Sequence, residues 1–139
     1  TNDVNLSLRS RIIQQYEGYE SYTMIARSAL VTPSSKIAGG CALMEGAIVN
    51  GAILAQNSVI NTKAVIEHGC ILGNNVFVGP GAIVCGDTCI GDNVLVGAGV
   101  IIRDGIEITE NVTIGMGSVV VRSIVEPGVY LGNPCRKIR

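Results

Sequence analysis

An aliphatic residue falls at every sixth position from Leu54 to Val120 without a miss: Leu54, Ile60, Ile66, Leu72, Val78, Val84, Ile90, Val96, Ile102, Ile108, Ile114 and Val120. Four residues after each beat stands a small or β-branched side chain, from Ser58, Ala64 and Cys70 through to Val112 and Ser118. A period of six fits neither a helix nor the strict alternation of an isolated, half-buried strand. It is the period of a parallel β-helix built on hexapeptides, in which each repeat supplies one short strand and one corner. The expected fold is therefore all-β, a prism of about five coils that stands roughly 24 Å tall at ~4.8 Å per coil. Composition suits a narrow prism: 47% of residues are hydrophobic, only 4% are aromatic, and there is no Trp. The 18 glycines match a chain with many tight turns.

Residues 1 to about 30 do not keep the beat. Leu8, Ile12 and Ile13 among Arg9, Arg11 and Gln14 predict a short amphipathic helix over Leu6 to Gln15, ended by Gly18. Tyr22 to Ile25 reads as a strand. Repeats begin at Val31 and continue through Ile37, Leu43 and Val49. The next beat, Leu54, comes five residues later, which places a one-residue deletion and a tighter turn near Gly51. After Val120 the pattern fades into a turn at Val125-Glu126-Pro127-Gly128, a last strand from Val129 to Leu131, and the stop Gly132-Asn133-Pro134. The N-terminal segment and C-terminal tail are the expected caps for the open ends of the prism.

Three hexapeptides make one coil, so residues 18 apart stack in columns. One corner reads Gln56-Asn57, Asn74-Asn75, Asp92-Asn93 and Glu110-Asn111, with Asn always second, where left-handed backbone is needed. Its polarity predicts that it faces water. A second corner reads Thr62-Lys63, Pro80-Gly81, Ala98-Gly99 and Met116-Gly117. The third reads His68-Gly69, Gly86-Asp87 and Asp104-Gly105. These two are poorer in polar side chains and richer in Gly, and are the expected places for subunit contacts and a ligand.

The net charge of −1, without a basic block, argues against nucleic acid as partner. No apolar run reaches the ~18 residues of a membrane span, and no signal-peptide pattern opens the chain. Five cysteines, odd in number and inside the repeat, point to a reducing, cytoplasmic setting. Cys85 and Cys89, at C-x3-C with no second pair, are read as repeat positions rather than metal ligands. Cys41 and Cys70 fall at small inward positions, which makes Cys70 a poor nucleophile.

His68 is the single histidine, placed at a corner beside Glu67, and imidazole is the side chain best suited to take a proton near neutral pH. The run Ile60-Asn61-Thr62-Lys63-Ala64-Val65-Ile66-Glu67-His68-Gly69-Cys70, with Pro80-Gly81-Ala82 after it and Gly132-Asn133-Pro134 near the end, resembles the hexapeptide-repeat acyltransferases. The branch it is similar to holds the sialic-acid O-acetyltransferases and UDP-amino-sugar N-acetyltransferases of bacterial surface-glycan pathways. The resemblance covers residues 1 to 139.

The resemblance implies a left-handed coil, a homotrimer, and acetyl-CoA lying in grooves between neighbouring prisms. It implies His68 as general base, Asn61 as a residue positioning the site, and the Gly86 N–H as oxyanion donor. Register independently puts Gly86 one coil from His68 in the same column. The pantetheine arm would run along backbone amides near Ala98 and Met116. Lys137 or Arg136 would meet the CoA phosphates, a solvated tail being the alternative for both. No metal is implied. Residues 1–30 would be a remnant of an amino-terminal nucleotide-sugar-binding domain, and 31–139 the acyltransferase domain.

Three positions depart from the family pattern. Gly69 stands where an Asp or Glu usually follows the histidine, leaving Glu67 as the candidate to orient the ring; Phe77 replaces a second histidine. Cys135 stands where Ala is usual. The function expected is acetyl-CoA-dependent acetylation of an amino-sugar nucleotide by direct transfer. The alternatives are O-acetylation of a sugar or sialic acid, and a non-catalytic hexapeptide scaffold.

Overall fold

A computed structural model describes the backbone from Asn2 to Arg139 and side chains from Ser7. The six-residue beat becomes a three-sided parallel solenoid. Two-residue strands follow one another at the expected spacing, and each pairs in parallel with the strand one coil away, as in Val59–Phe77–Leu95 and Val65–Ile83–Ile101. The beat residues and the small residues four places later point inward and are buried without exception from Leu54 to Val120. A prism this narrow has room for little else: the core is Val, Ile, Leu, Ala and Cys, with Ser58, Thr88 and Ser118 as its small polar members. Their hydroxyls are satisfied locally, Ser58 by the Gly73 carbonyl (3.1 Å) and Thr88 by the Cys85 carbonyl (2.8 Å).

The corners obey the left-handed requirement. Asn57, Asn75, Asn93 and Asn111 have φ of 60°, 54°, 55° and 58°, and Lys63 and Asp87 join them at 56° and 57°. Asn and Asp tolerate this region better than other non-glycine residues.

The ladder starts earlier than Val31. Met24–Ile25 already pairs in parallel with Ala42–Leu43, so the solenoid has about six turns rather than the five expected from Val31 onward. Ile25 stands six residues before Val31 and extends the beat into this turn, although it and Met24 are exposed at the open end. The shortened corner is where the spacing put it. Lys36 pairs with Ile53, one residue short of the usual stagger, and the Gly51 N–H donates to Thr32 Oγ1 (2.8 Å) and Ser35 Oγ (2.9 Å). At the other end Gly128–Leu131 adds a parallel strand beyond Val112–Ile114. The chain then reverses so that Arg136–Lys137 pairs antiparallel with it and closes the edge.

One expectation is overturned. The asparagine corner does not face water throughout, because helix α1 (Asn2–Gln15) lies along it. Asn75 is only 5% exposed; its Nδ2 donates to Ser10 Oγ (2.8 Å) and to Asn93 Oδ1 (2.9 Å), while the Arg9 guanidinium donates to the Asn57 carbonyl. A column of amides offers a helix many partners, so polar groups rather than an apolar stripe dock it. Leu8 and Ile12 stay about half exposed. The helix also starts earlier than expected, at Asn2.

Each inward position is packed on all sides, so an Ile102→Ala substitution leaves a cavity that neighbouring coils cannot fill. It should cost about 2–5 kcal/mol of unfolding free energy, read from the shift of a urea denaturation midpoint.

Candidate active site

The third corner brings His68 onto Gly86. A Cβ added at Gly86 would lie 2.8 Å from His68 Cε1, 3.0 Å from Nε2 and 3.3 Å from Nδ1, so the imidazole rests on the glycine's backbone. The stagger that does this is held by two backbone bonds: the Asp87 N–H donates to the His68 carbonyl (2.8 Å), and the Gly105 N–H to the Gly86 carbonyl (3.0 Å). On the other side of His68 is the shortened corner, with the Gly69 N–H donating to the Gly51 carbonyl (3.1 Å). Glycine at 86 thus makes room for the close approach of the ring.

The leading N–H of each corner points out of the coil and takes no part in the ladder. At the asparagine corner two of these donors are capped by side chains of the next coil, Gln56 N–H by Asn74 Oδ1 (3.1 Å) and Asn74 N–H by Asp92 Oδ1 (2.7 Å), while those of Asp92 and Glu110 have no acceptor among the described residues. At the second corner Thr62 N–H is capped by Asn61 Oδ1 of its own coil (2.8 Å). The N–H groups of Gly86, Ala98 and Met116 have no acceptor among the described residues. An unpaired N–H beside an imidazole is the pairing that acyl transfer uses, a base for the nucleophile and a donor for the carbonyl oxygen.

The remaining residues singled out from the sequence stand as follows. Asn61 sits on the second corner, and its Oδ1 accepts from Thr62 N–H (2.8 Å) and Thr62 Oγ1 (3.3 Å), fixing its own turn. Glu67 is drawn to the preceding coil, where its Oε2 accepts from Asn50 Nδ2 (3.0 Å), and it makes no hydrogen bond to His68. Ala98 and Met116 stack as expected in the second column, Met116 being 76% exposed. Lys137 pairs with Glu126 (2.9 Å) on the capping hairpin, while Arg136 donates to the Cys135 carbonyl (3.0 Å). That pair holds the Lys137 ammonium charged and the Glu126 carboxyl below its usual range.

Cys70 is buried against the Cys85 carbonyl (3.1 Å), and burial pushes its thiol up, as it does for Cys41, Cys85 and Cys135. Sequence reasoning missed Asp87, whose carboxylate folds back over Gly69. Its signal was an acidic residue in a column place that the coils on both sides fill with glycine. The described residues contain no group of three or more His, Cys, Asp or Glu able to hold a metal. The cleft between α1 and the asparagine corner, lined by Ser10, Arg11, Asn93 and Asn111 among others, does not reach His68.

Residues 87–122 match the bacterial transferase hexapeptide family (six repeats). The acetyltransferase domain of PglB from Neisseria gonorrhoeae FA1090 is 31% identical over 96% of this chain and 67% of its own, with a TM-score of 0.93. This chain belongs to the hexapeptide-repeat acyltransferases. A perosamine N-acetyltransferase variant from Caulobacter crescentus, solved with CoA and GDP-perosamine, is 28% identical over 96% of this chain and 65% of its own, with a TM-score of 0.92. The PglB domain has also been solved with acetyl coenzyme A. The chain therefore spans about two thirds of the length of these relatives. WeeI from Acinetobacter baumannii AYE, at 20% identity and a TM-score of 0.72, shares the fold. No curated protein matches the sequence.

Two outcomes test this geometry. Gly86→Ala should leave the fold intact, since only a side-chain ring opposes the new methyl, but should displace the imidazole and move its NMR signals. With thiolate as the reactive form, iodoacetamide at pH 8 should label exposed Cys89 in the native chain well before Cys41 and Cys70. Raised thiol values keep the buried pair protonated until pH climbs further, and peptide mass mapping reads the order.

Proposed function

We propose that this chain transfers an acetyl group from acetyl-CoA to the amine of an amino-sugar nucleotide. The observation that carries the reading is the His68 ring lying on Gly86 beside that residue's unpaired N–H. In this reading His68 removes a proton from the acceptor amine as its nitrogen attacks the thioester carbon. The carbonyl oxygen becomes an oxyanion and is met by the Gly86 N–H. Collapse of the tetrahedral intermediate breaks the carbon–sulfur bond, and the CoA thiolate takes the proton back from His68. No acyl-enzyme is needed, in keeping with a buried, protonated Cys70.

The unpaired N–H groups of Ala98 and Met116 are the donors offered to the pantetheine amides. Lys137, already paired with Glu126, is a weaker candidate for the CoA phosphates than Arg136, whose guanidinium carries no carboxylate partner among the described residues. The relatives solved with CoA, acetyl coenzyme A and GDP-perosamine support the choice of donor and acceptor class. Asn61 acts by fixing the second corner. The reaction belongs to surface-glycan biosynthesis in the cytoplasm, a setting supported by five cysteines with no disulfide. No helix among the described residues is long and apolar enough to cross a membrane.

A homotrimer completes the site. His68 is exposed on the single chain, and large apolar side chains stand outward on two faces: Leu30, Ile83 and Ile101 on one, Ile53 and Ile71 on the other, all 37–63% exposed. Such stripes favour burial against a second copy.

The test is CoA release from acetyl-CoA with a panel of amino-sugar nucleotides. His68→Ala should lower kcat/KM by about 10²–10⁴ while calorimetry shows acetyl-CoA still bound. Full transfer by the variant would refute the assignment.

A further inference from the structure

We infer that the shortened corner beside His68 seats the acceptor's sugar, with Asn50, Gly51 and Ser34 setting which sugar enters. The inference deepens the acetyl-transfer reading and rests on it.

The corners of this column on either side of the short one have four residues between their strands, 32–35 after Val31 and 67–70 after Ile66. The short corner has three, 50–52 after Val49. Backbone bonds identify the missing place. The Asn50 N–H donates to the Ile66 carbonyl (2.9 Å), which sets Asn50 beside Glu67, and the Gly69 N–H donates to the Gly51 carbonyl (3.1 Å). Asn50 thus stacks on Glu67 and Gly51 on Gly69, and no residue of that coil stacks on His68. One coil further back Pro33 resumes the column, since Val31 pairs with Val49 and Lys36 with Ile53. His68 and Pro33 stand two coil heights apart, roughly 10 Å, with a recess one coil thick between them.

Local bonding keeps the recess open. Elsewhere in the column the second corner N–H donates to the first corner carbonyl of the preceding coil, as Asp87 does to His68 (2.8 Å) and Gly105 to Gly86 (3.0 Å). The Gly51 N–H instead donates to Thr32 Oγ1 (2.8 Å) and Ser35 Oγ (2.9 Å), so two hydroxyls hold the tight turn. Gly51, at φ 67°, turns its bare side to the recess: a Cβ there would lie 3.2 Å from Ser34 Oγ and 3.9 Å from both Cα and Cβ of His68.

The rim is rich in hydrogen-bond acceptors. Asn50 Nδ2 donates to Glu67 Oε2 (3.0 Å), and Asn50 Oδ1 and Glu67 Oε1 have no partner among the described residues. The exposed Ser34 hydroxyl stands across from them, bonded only to Thr32 Oγ1 (3.3 Å). Such a rim suits the hydroxyl and amine hydrogens of an amino sugar. The open N–H groups of Gly86, Ala98 and Met116 all lie in coils C-terminal to His68, and the recess lies in the coil before it. With the acetyl donor on those amides, the amine reaches the base from the recess, so donor and acceptor meet at one imidazole.

Inserting one alanine between Asn50 and Gly51 tests this. The corner then matches residues 67–70 in length and in the place of its glycine, so the chain should fold, as far-UV circular dichroism and the urea midpoint check. The acetyl-CoA Kd should hold within about twofold, while KM for the amino-sugar nucleotide that the wild-type chain acetylates best rises about tenfold or more. Gly51→Asn places in the recess a residue type that Asn57, Asn75, Asn93 and Asn111 already hold at positive φ, and should do the same. Ser34→Ala removes one exposed hydroxyl and should raise that KM by about two- to tenfold; it decides alone if the other two do not fold.

An unchanged acceptor KM in any of these variants that folds, or an acetyl-CoA Kd that rises as much as the acceptor KM, overturns the inference and leaves the acetyl-transfer reading standing. If the wild-type chain acetylates no amino-sugar nucleotide, both fall together.

Discussion

Everything in this molecule depends on the parallel hydrogen-bond ladder between successive coils. Each coil is too thin to bury anything alone. Stacked in register, it places one aliphatic side chain per face directly on the one below, and the backbone groups of both are paired. The ladder tolerates only small inward residues between the beats, and corners that can turn left-handed. Those two demands account for most of the sequence between Leu30 and Val120.

The same ladder builds the site without further machinery. A stack fixed in register turns a sequence separation into a spatial neighbour, so His68 meets Gly86 because they occupy one column. It also leaves the leading N–H of every corner unpaired. At Gln56 and Asn74 an Asn or Asp of the next coil caps that donor. At Gly86 and Ala98, whose next-coil neighbours are Asp104 and Met116, the donor stays open. The open donors of Gly86, Ala98 and Met116 lie in the two columns proposed for acetyl-CoA, while Asp92 and Glu110 keep open donors at the asparagine corner.

The beat, the deletion near Gly51 and the adjacency of His68 and Gly86 were legible in the sequence because they depend only on counting by six. Three features were not. The first turn at Met24 reads as a strand apart from the repeat, because its beat residue Ile25 is exposed at the open end instead of filling a core. The asparagine corner reads as a wet surface, yet its ladder of amides is what α1 docks on, through Ser10 and Arg9. Glu67 looks like the partner of its neighbour His68, but alternation along the strand sends it to Asn50, and the carboxylate leaning over the corner comes from Asp87, one coil away. Counting locates a column; it does not say which way a long side chain leans.

The account claims that open corner amides beside His68 receive the acetyl donor. The most direct measurement is a backbone amide NMR titration of the chain with acetyl-CoA. The account predicts that the N–H resonances of Gly86, Ala98 and Met116 move, while those of Gln56 and Asn74, capped at the asparagine corner, stay in place. Shifts confined to the asparagine corner and α1, or a bound ligand that leaves Gly86 unmoved, would contradict it.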